Sequence, residues 1–149
     1  MFGEDLVADP QEPAHWSFWI IGAIALTWNL LGCINFFLQM DPEMIAHYRP
    51  SEQAIIAARP LWATAGFAAG VFGGAIGSLL LLLRSRFAFH LFVLSLLGVI
   101  GATVHTLGAG VSFNEGEVLG IIVAPIGFAA FLVWYARRAR VKAWLPLRG

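Results

Sequence analysis

Residues 61–83 read LWATAGFAAGVFGGAIGSLLLLL, 23 positions with no charged side chain and five glycines. About 20 helical residues cross a hydrocarbon layer roughly 30 Å thick. In lipid an isolated segment satisfies its backbone N–H and C=O groups only as a helix, so this stretch is read as a transmembrane span. Three further runs have the same character: 18–40 with 23 residues, 87–110 with 24, and 118–136 with 19. The four runs take up 89 of 149 residues, and the longest piece between them is the 20 residues from Asp41 to Pro60. No second domain fits there. The whole chain is 59% apolar and 12% charged, whereas soluble domains are about 45–50% apolar and about 25% charged. The expected fold is an all-α membrane protein, an antiparallel four-transmembrane-helix bundle formed by residues 16–136. A flexible acidic tail over 1–15 precedes it, and a basic juxtamembrane segment over 137–149 follows.

Equal numbers of acidic and basic residues, nine of each, conceal an uneven distribution. With four spans, the termini share a side with the link between spans two and three. That side carries Arg84, Arg86, Arg137, Arg138, Arg140, Lys142 and Arg148, and the other carries Arg49 and Arg59. Basic loops stay in the cytoplasm, which predicts that both termini are cytoplasmic. Arg84, Arg86, Arg137, Arg138, Arg140 and Lys142 are expected to reach lipid headgroups, their aliphatic stems lying along apolar surface. The segment before the first run, Met1 to Ser17, has no Lys or Arg, so this run is read as a retained span rather than a cleaved leader. In the link after it, Asp41-Pro42-Glu43 is a helix-start signal and Ser51-Glu52-Gln53 a second. Two short helical turns are expected there, lying on the outer membrane surface.

Small residues mark the expected helix contacts. Gly66, Gly70 and Gly74 recur every four residues and lead to Ser78, while Gly73 and Gly77 form an adjoining stripe. Gly98 and Ala102 in span three, and Gly116, Gly120 and Ala124 around span four, supply matching positions. Close backbone approach at such stripes is a principal source of helix association in lipid.

Polar residues inside the spans are few. Asn29 stands near the middle of the first run, where an unpaired amide is costly. With Gln39, Thr64, Thr103 and His105 it makes up the candidate polar interior. The four histidines do not pair at a common depth on two spans, so haem and metal are not expected. The single cysteine, Cys33, excludes a disulfide or zinc framework within one chain. Every Asp and Glu falls outside the four runs, and Ser78 and Ser95 have no base at their depth. No phosphate-binding glycine loop is present. No catalytic residue, no cofactor and no nucleic-acid partner are expected.

Several segments together resemble a family of small four-helix bacterial inner-membrane proteins often labelled sugar transporters. They are Ser17-Phe18-Trp19-Ile20-Ile21-Gly22, Trp28-Asn29-Leu30 with Gly32, Pro60 with Trp62-Ala63-Thr64-Ala65, and Gly77-Ser78 followed by the leucine run to Arg84. Leu94-Ser95-Leu96 with Gly98-Val99, and Trp134-Tyr135-Ala136-Arg137, complete the set. The resemblance implies the fold and a multi-pass location in the bacterial inner (cytoplasmic) membrane. The function expected from the residues is that of a non-catalytic accessory or interaction subunit packing beside a larger membrane complex. The alternative is a transporter or channel for a small solute, a sugar being the one the family label names, acting as a homo-oligomer. Expected partners are the lipid bilayer and a membrane protein or a second copy of the chain.

Overall fold

The computed structural model describes residues 13–145. In chain order the elements are α1 (Trp16–Leu38), α2 (Pro42–Ile45), α3 (Pro50–Ala57), α4 (Leu61–Leu82), α5 (Ala88–Gly108), α6 (Glu115–Glu117), a π-helical segment (Val118–Val123) and α7 (Ala124–Val141). All regular structure among the described residues is helical. Four helices are long and apolar enough to cross a membrane: α1, α4, α5 and the continuous run Glu115–Val141. The first starts two residues before the expected run because the His15 ring accepts a hydrogen bond from Ser17 N at 3.3 Å, capping the helix. The last continues past Ala136, so that Arg137, Arg138 and Arg140 ride on it. The acidic tail lies mostly outside the described residues, as do 146–149.

The helix starts expected in the first link are present. Asp41 Oδ1 accepts from Glu43 N at 2.9 Å, with Pro42 opening α2. α3 begins at Pro50, earlier than Ser51-Glu52-Gln53 suggests. Proline at the first helical position loses no bond, and Glu52 Oε2 reaches back to Arg49 N at 3.2 Å.

Small residues build the seam between α4 and α5. A Cβ placed on Gly66 would meet Gly98 O at 3.1 Å, one on Gly70 would meet Val99 N at 3.4 Å, and one on Gly73 would meet Leu91 O at 3.4 Å. Gly77 faces Leu91 and Phe92. Residue numbers thus fall along α5 as they rise along α4. Ser95 Oγ donates across the seam to Gly70 O at 2.6 Å. Gly74 belongs to the other face of α4, where Asn29 of α1 lies over it. Gly22 against Leu82, Gly32 against Val71 and Phe36 against Phe67 continue that contact. Ser78 is fully buried and donates to Gly74 O of its own helix at 2.7 Å.

The stripe expected in span four does not form. Gly116 and Gly120 are exposed, and a Cβ on Gly120 meets no heavy atom within 4 Å. Pro125 supplies the physical reason. It has no N–H for the carbonyl of Ile121, and its ring crowds that carbonyl. The ladder widens, with Ala124 N–H bonding Leu119 O, five residues back. One extra residue in that turn rotates Gly116 and Gly120 away from the face that Ala124 follows.

At the end of the bundle that carries the described termini, Phe18, Ala25, Leu81, Ala88, Phe92, Leu132, Tyr135, Ala136, Ala139, Trp144 and Leu145 form a closed core. Two helix ends complete it. Ser85 N bonds Leu80 O at 2.8 Å with Arg84 at φ 58, and Trp144 N bonds Ala139 O at 3.0 Å with Ala143 at φ 54. These are Schellman turns with a non-glycine residue in the left-handed position. The second folds Trp144 onto Phe18, ring centroids 6.0 Å apart.

A candidate ligand-binding cavity

The long helices pack in series, α1 on α4, α4 on α5 and α5 on α7. α1 and α7 meet instead through rings, Trp28 with Phe128 at 5.2 Å and Phe18 with Tyr135 at 6.4 Å. Above the closed core the bundle therefore encloses a cavity of about 420 Å³ bounded by α1, α3, α4, α5, the π-helical segment and α7. Leu132 belongs both to the cavity wall and to the core cluster, so the cavity ends there. Of the residues that line it, Trp28, Leu31 and Gly120 are exposed. Two of these lie within α1 and the third in the π-helical segment, so the wall reaches the surface of the apolar spans at those positions.

The wall is apolar along Phe67, Val71, Val99, Phe128, Ala129 and Leu132, and polar toward α3. Arg59, two residues before α4, is half-buried. Its Nη2 donates to Gln39 Oε1, its guanidinium carbon stands 5.1 Å from the Phe67 ring centroid, and its Nη1 is buried without a hydrogen-bond partner. Among the described residues it has no carboxylate within 4.0 Å. Burial lowers its pKa, and the neighbouring Tyr48 works in the opposite direction. An arginine only donates, so Gln39 presents its oxygen to Arg59, and its Nε2–H2 is turned toward the Tyr48 phenol, whose pKa that contact lowers. Asn35, one turn earlier on α1, accepts from Tyr48 Oη and keeps Nδ2–H2. The pKa of Tyr48 is raised by burial first and the Glu52 charge second. Its phenol thus stays a donor.

Four other polar residues of the wall are committed elsewhere. His105 Nε2 lies 3.1 Å from Ile55 O, fastening α5 to α3. Glu52 serves the start of α3, as described above. Thr106 Oγ1 donates to Ala102 O at 3.0 Å. Asn29, buried and lining the cavity, donates to Ala25 O of its own helix at 2.8 Å. Glu117 of α6 ties the fourth span to the start of α3, accepting from Ser51 Oγ at 2.6 Å and lying 3.8 Å from Arg49.

Of the candidate polar interior, the structure brings Asn29, Gln39, Thr103 and His105 to one cavity. Thr64 is not among the lining residues; its Oγ1 bonds Pro60 O at 3.3 Å, so it secures the start of α4. Arg59 and Pro125 are wall residues that sequence reasoning missed, and Asn35, though a polar residue of span one, was not among the candidates. Arg59 entered only as a charge count, yet an arginine directly before the proline that opens a span was a usable sign of a fixed position. Among the described residues no group of three or more His, Cys, Asp or Glu could hold a metal ion.

The six basic residues expected at headgroups are not equivalent. Arg84 Nε donates to Trp144 O at 2.8 Å and its Nη2 is buried, so this side chain holds the C-terminal turn. Arg86, Arg138, Arg140 and Lys142 lie over the rings of Phe87, Trp134, Phe89 and Trp144 at 5.0–5.6 Å. Arg137 is exposed.

No family model, curated protein or solved structure matches the chain. The family resemblance is therefore not confirmed, and the four long apolar helices stand as its structural content.

Proposed function

We propose that this chain is a non-catalytic, multi-pass protein of the bacterial inner membrane, an accessory or interaction subunit whose bundle holds a ligand in a blind cavity. The observation that carries this reading is the cavity's placement: its exposed wall residues, Trp28, Leu31 and Gly120, lie on the apolar spans, and at Leu132 it abuts the packed core. A passage through the bundle would need that core to come apart. The chemistry of the wall points the same way. His105 and Glu52, the titratable groups with general-acid or general-base character there, each engage backbone, His105 at Ile55 O and Glu52 at Arg49 N, and so serve the joins of α3. The seven-to-two division of Lys and Arg supports an antiparallel bundle with both termini cytoplasmic.

Extraction in a mild detergent, followed by mass spectrometry of the intact assembly, tests the reading. A co-purifying membrane subunit is the expected result. A symmetric homo-oligomer that supports solute flux in liposomes would replace this reading with that of a small-solute carrier.

A further inference from the structure

We propose that the cavity binds an amphipathic anion of the lipid class, its carboxylate or phosphate head held by Arg59, Gln39 and Asn35. The acyl chain would lie along Phe67, Val99 and Phe128 toward the exposed part of the wall. Three independent features converge on this class. The first is charge: the guanidinium of Arg59 has a buried Nη1 with no partner and no carboxylate within ion-pair distance among the described residues. Asn35 presents an amide donor beside it because its carboxamide oxygen is engaged by Tyr48, and Gln39, bound through its oxygen to Arg59 and on its amide side to Tyr48, keeps the second of its two amide hydrogens. A cation flanked by donors in apolar surroundings calls for an anion.

The second feature is access. The exposed residues of the wall are Trp28, Leu31 and Gly120, in the body of two membrane-crossing helices. A ligand entering at those positions comes from the bilayer rather than from water, which favours an amphiphile over a free inorganic anion or a sugar. The third is size. A cavity of about 420 Å³ falls within the roughly 300–1,000 Å³ of small-molecule sites, room for a medium-chain amphiphile or for the head and the first part of one chain of a larger lipid. Glu52 lines the same cavity and would repel an anion, but it is directed to Arg49 N at the start of α3.

The inference rests on the blind-cavity reading above. The test uses full-length protein in nanodiscs of zwitterionic phosphatidylcholine, titrated with dodecanoate, dodecyl phosphate and dodecanol, with bound ligand counted by native mass spectrometry. One saturable site is expected for either anion or both, with dodecanol at least tenfold weaker and Arg59→Gln weakening the anions at least tenfold. Which anion binds more tightly separates a fatty-acid head from a phosphate-bearing lipid head. Val99→Phe, which places a ring in the cavity and leaves Arg59 intact, is expected to abolish saturable binding, and it serves if Arg59→Gln does not accumulate. Equal binding of dodecanol and the anions would overturn the assigned class while leaving the cavity in use. Absence of any saturable binding, or full anion binding by Arg59→Gln or by Val99→Phe, would overturn the site itself. Neither result depends on solute flux, the finding that would remove the blind-cavity reading.

Discussion

Gly98→Ala adds a single methyl group where a glycine of the bundle comes closest to the backbone of another helix. A Cβ there meets the backbone of α4, with Gly70 N at 2.6 Å and the Gly66 carbonyl oxygen closer still, and backbone cannot swing aside as a side-chain tip can. To reach an ordinary 3.4 Å separation from Gly70 N, α5 must retreat by about 0.8 Å. A gap of 0.5–1 Å forfeits roughly a quarter to a half of each dispersion contact along the seam. The same displacement stretches the Ser95 Oγ to Gly70 O bond from 2.6 Å to beyond 3 Å, and such interhelical bonds contribute about 0.6 kcal/mol on average. Overpacking of this kind costs about 1–3 kcal/mol, offset by up to about 1 kcal/mol because alanine favours the helix over glycine. The net expectation is a loss of about 1–2 kcal/mol. Gly101→Ala is the control: nothing lies within 4 Å of its Cβ, so the helix term alone remains and stability should rise by up to about 1 kcal/mol. Equilibrium unfolding in mixed micelles under increasing SDS reads both. If Gly98→Ala matches or exceeds the stability of Gly101→Ala, then backbone contact at Gly66 and Gly70 does not hold α4 to α5.

Three further outcomes are expected. Ser95→Ala should cost about 0.6 kcal/mol, and not more than about 1.7 kcal/mol, in the same assay, since it removes the donor to Gly70 O and little volume. Ala143→Gly should stabilise by about 1 kcal/mol, because φ 54 penalises a Cβ and glycine accepts it; a thermal shift measurement that shows no gain would mean the turn does not persist in the membrane. In intact cells a membrane-impermeant maleimide should label Ser112→Cys and spare Ser85→Cys until the cells are permeabilised. The native thiol, Cys33, is buried and should add little background. Reversed labelling would invert the proposed orientation.

Much of the fold was legible because the forces that set it act locally or repeat regularly. Lipid demands long charge-free helices, and Phe18 to Met40 or Leu61 to Leu83 announce themselves by length alone. The Asp41-Pro42 start was equally readable, since a cap and its first turn are neighbours in sequence. The site was less so. Asn29, Gln39, Thr103 and His105 stood out as polar residues in or beside apolar runs, and they do share a cavity. Thr64 stood out for the same reason and does not, because its hydroxyl satisfies itself on Pro60 O. Arg59 gave no such signal.

The amino-acid sequence by itself determines that the chain is built of four apolar helices, because the cost of bare backbone in hydrocarbon applies to each segment separately. The small-residue stripe of α4 is written there too. Tertiary structure alone decides which stripe meets which. Gly66 and Gly70 turn to α5, Gly74 turns to α1, and the π turn before Pro125 takes Gly116 and Gly120 out of any seam. It alone brings Arg59 to Gln39 and Phe67 and leaves a cavity among α1, α3, α4, α5 and α7. Those outcomes depend on distances between helices that no single segment encodes. A cavity is volume that all its surrounding elements together fail to occupy.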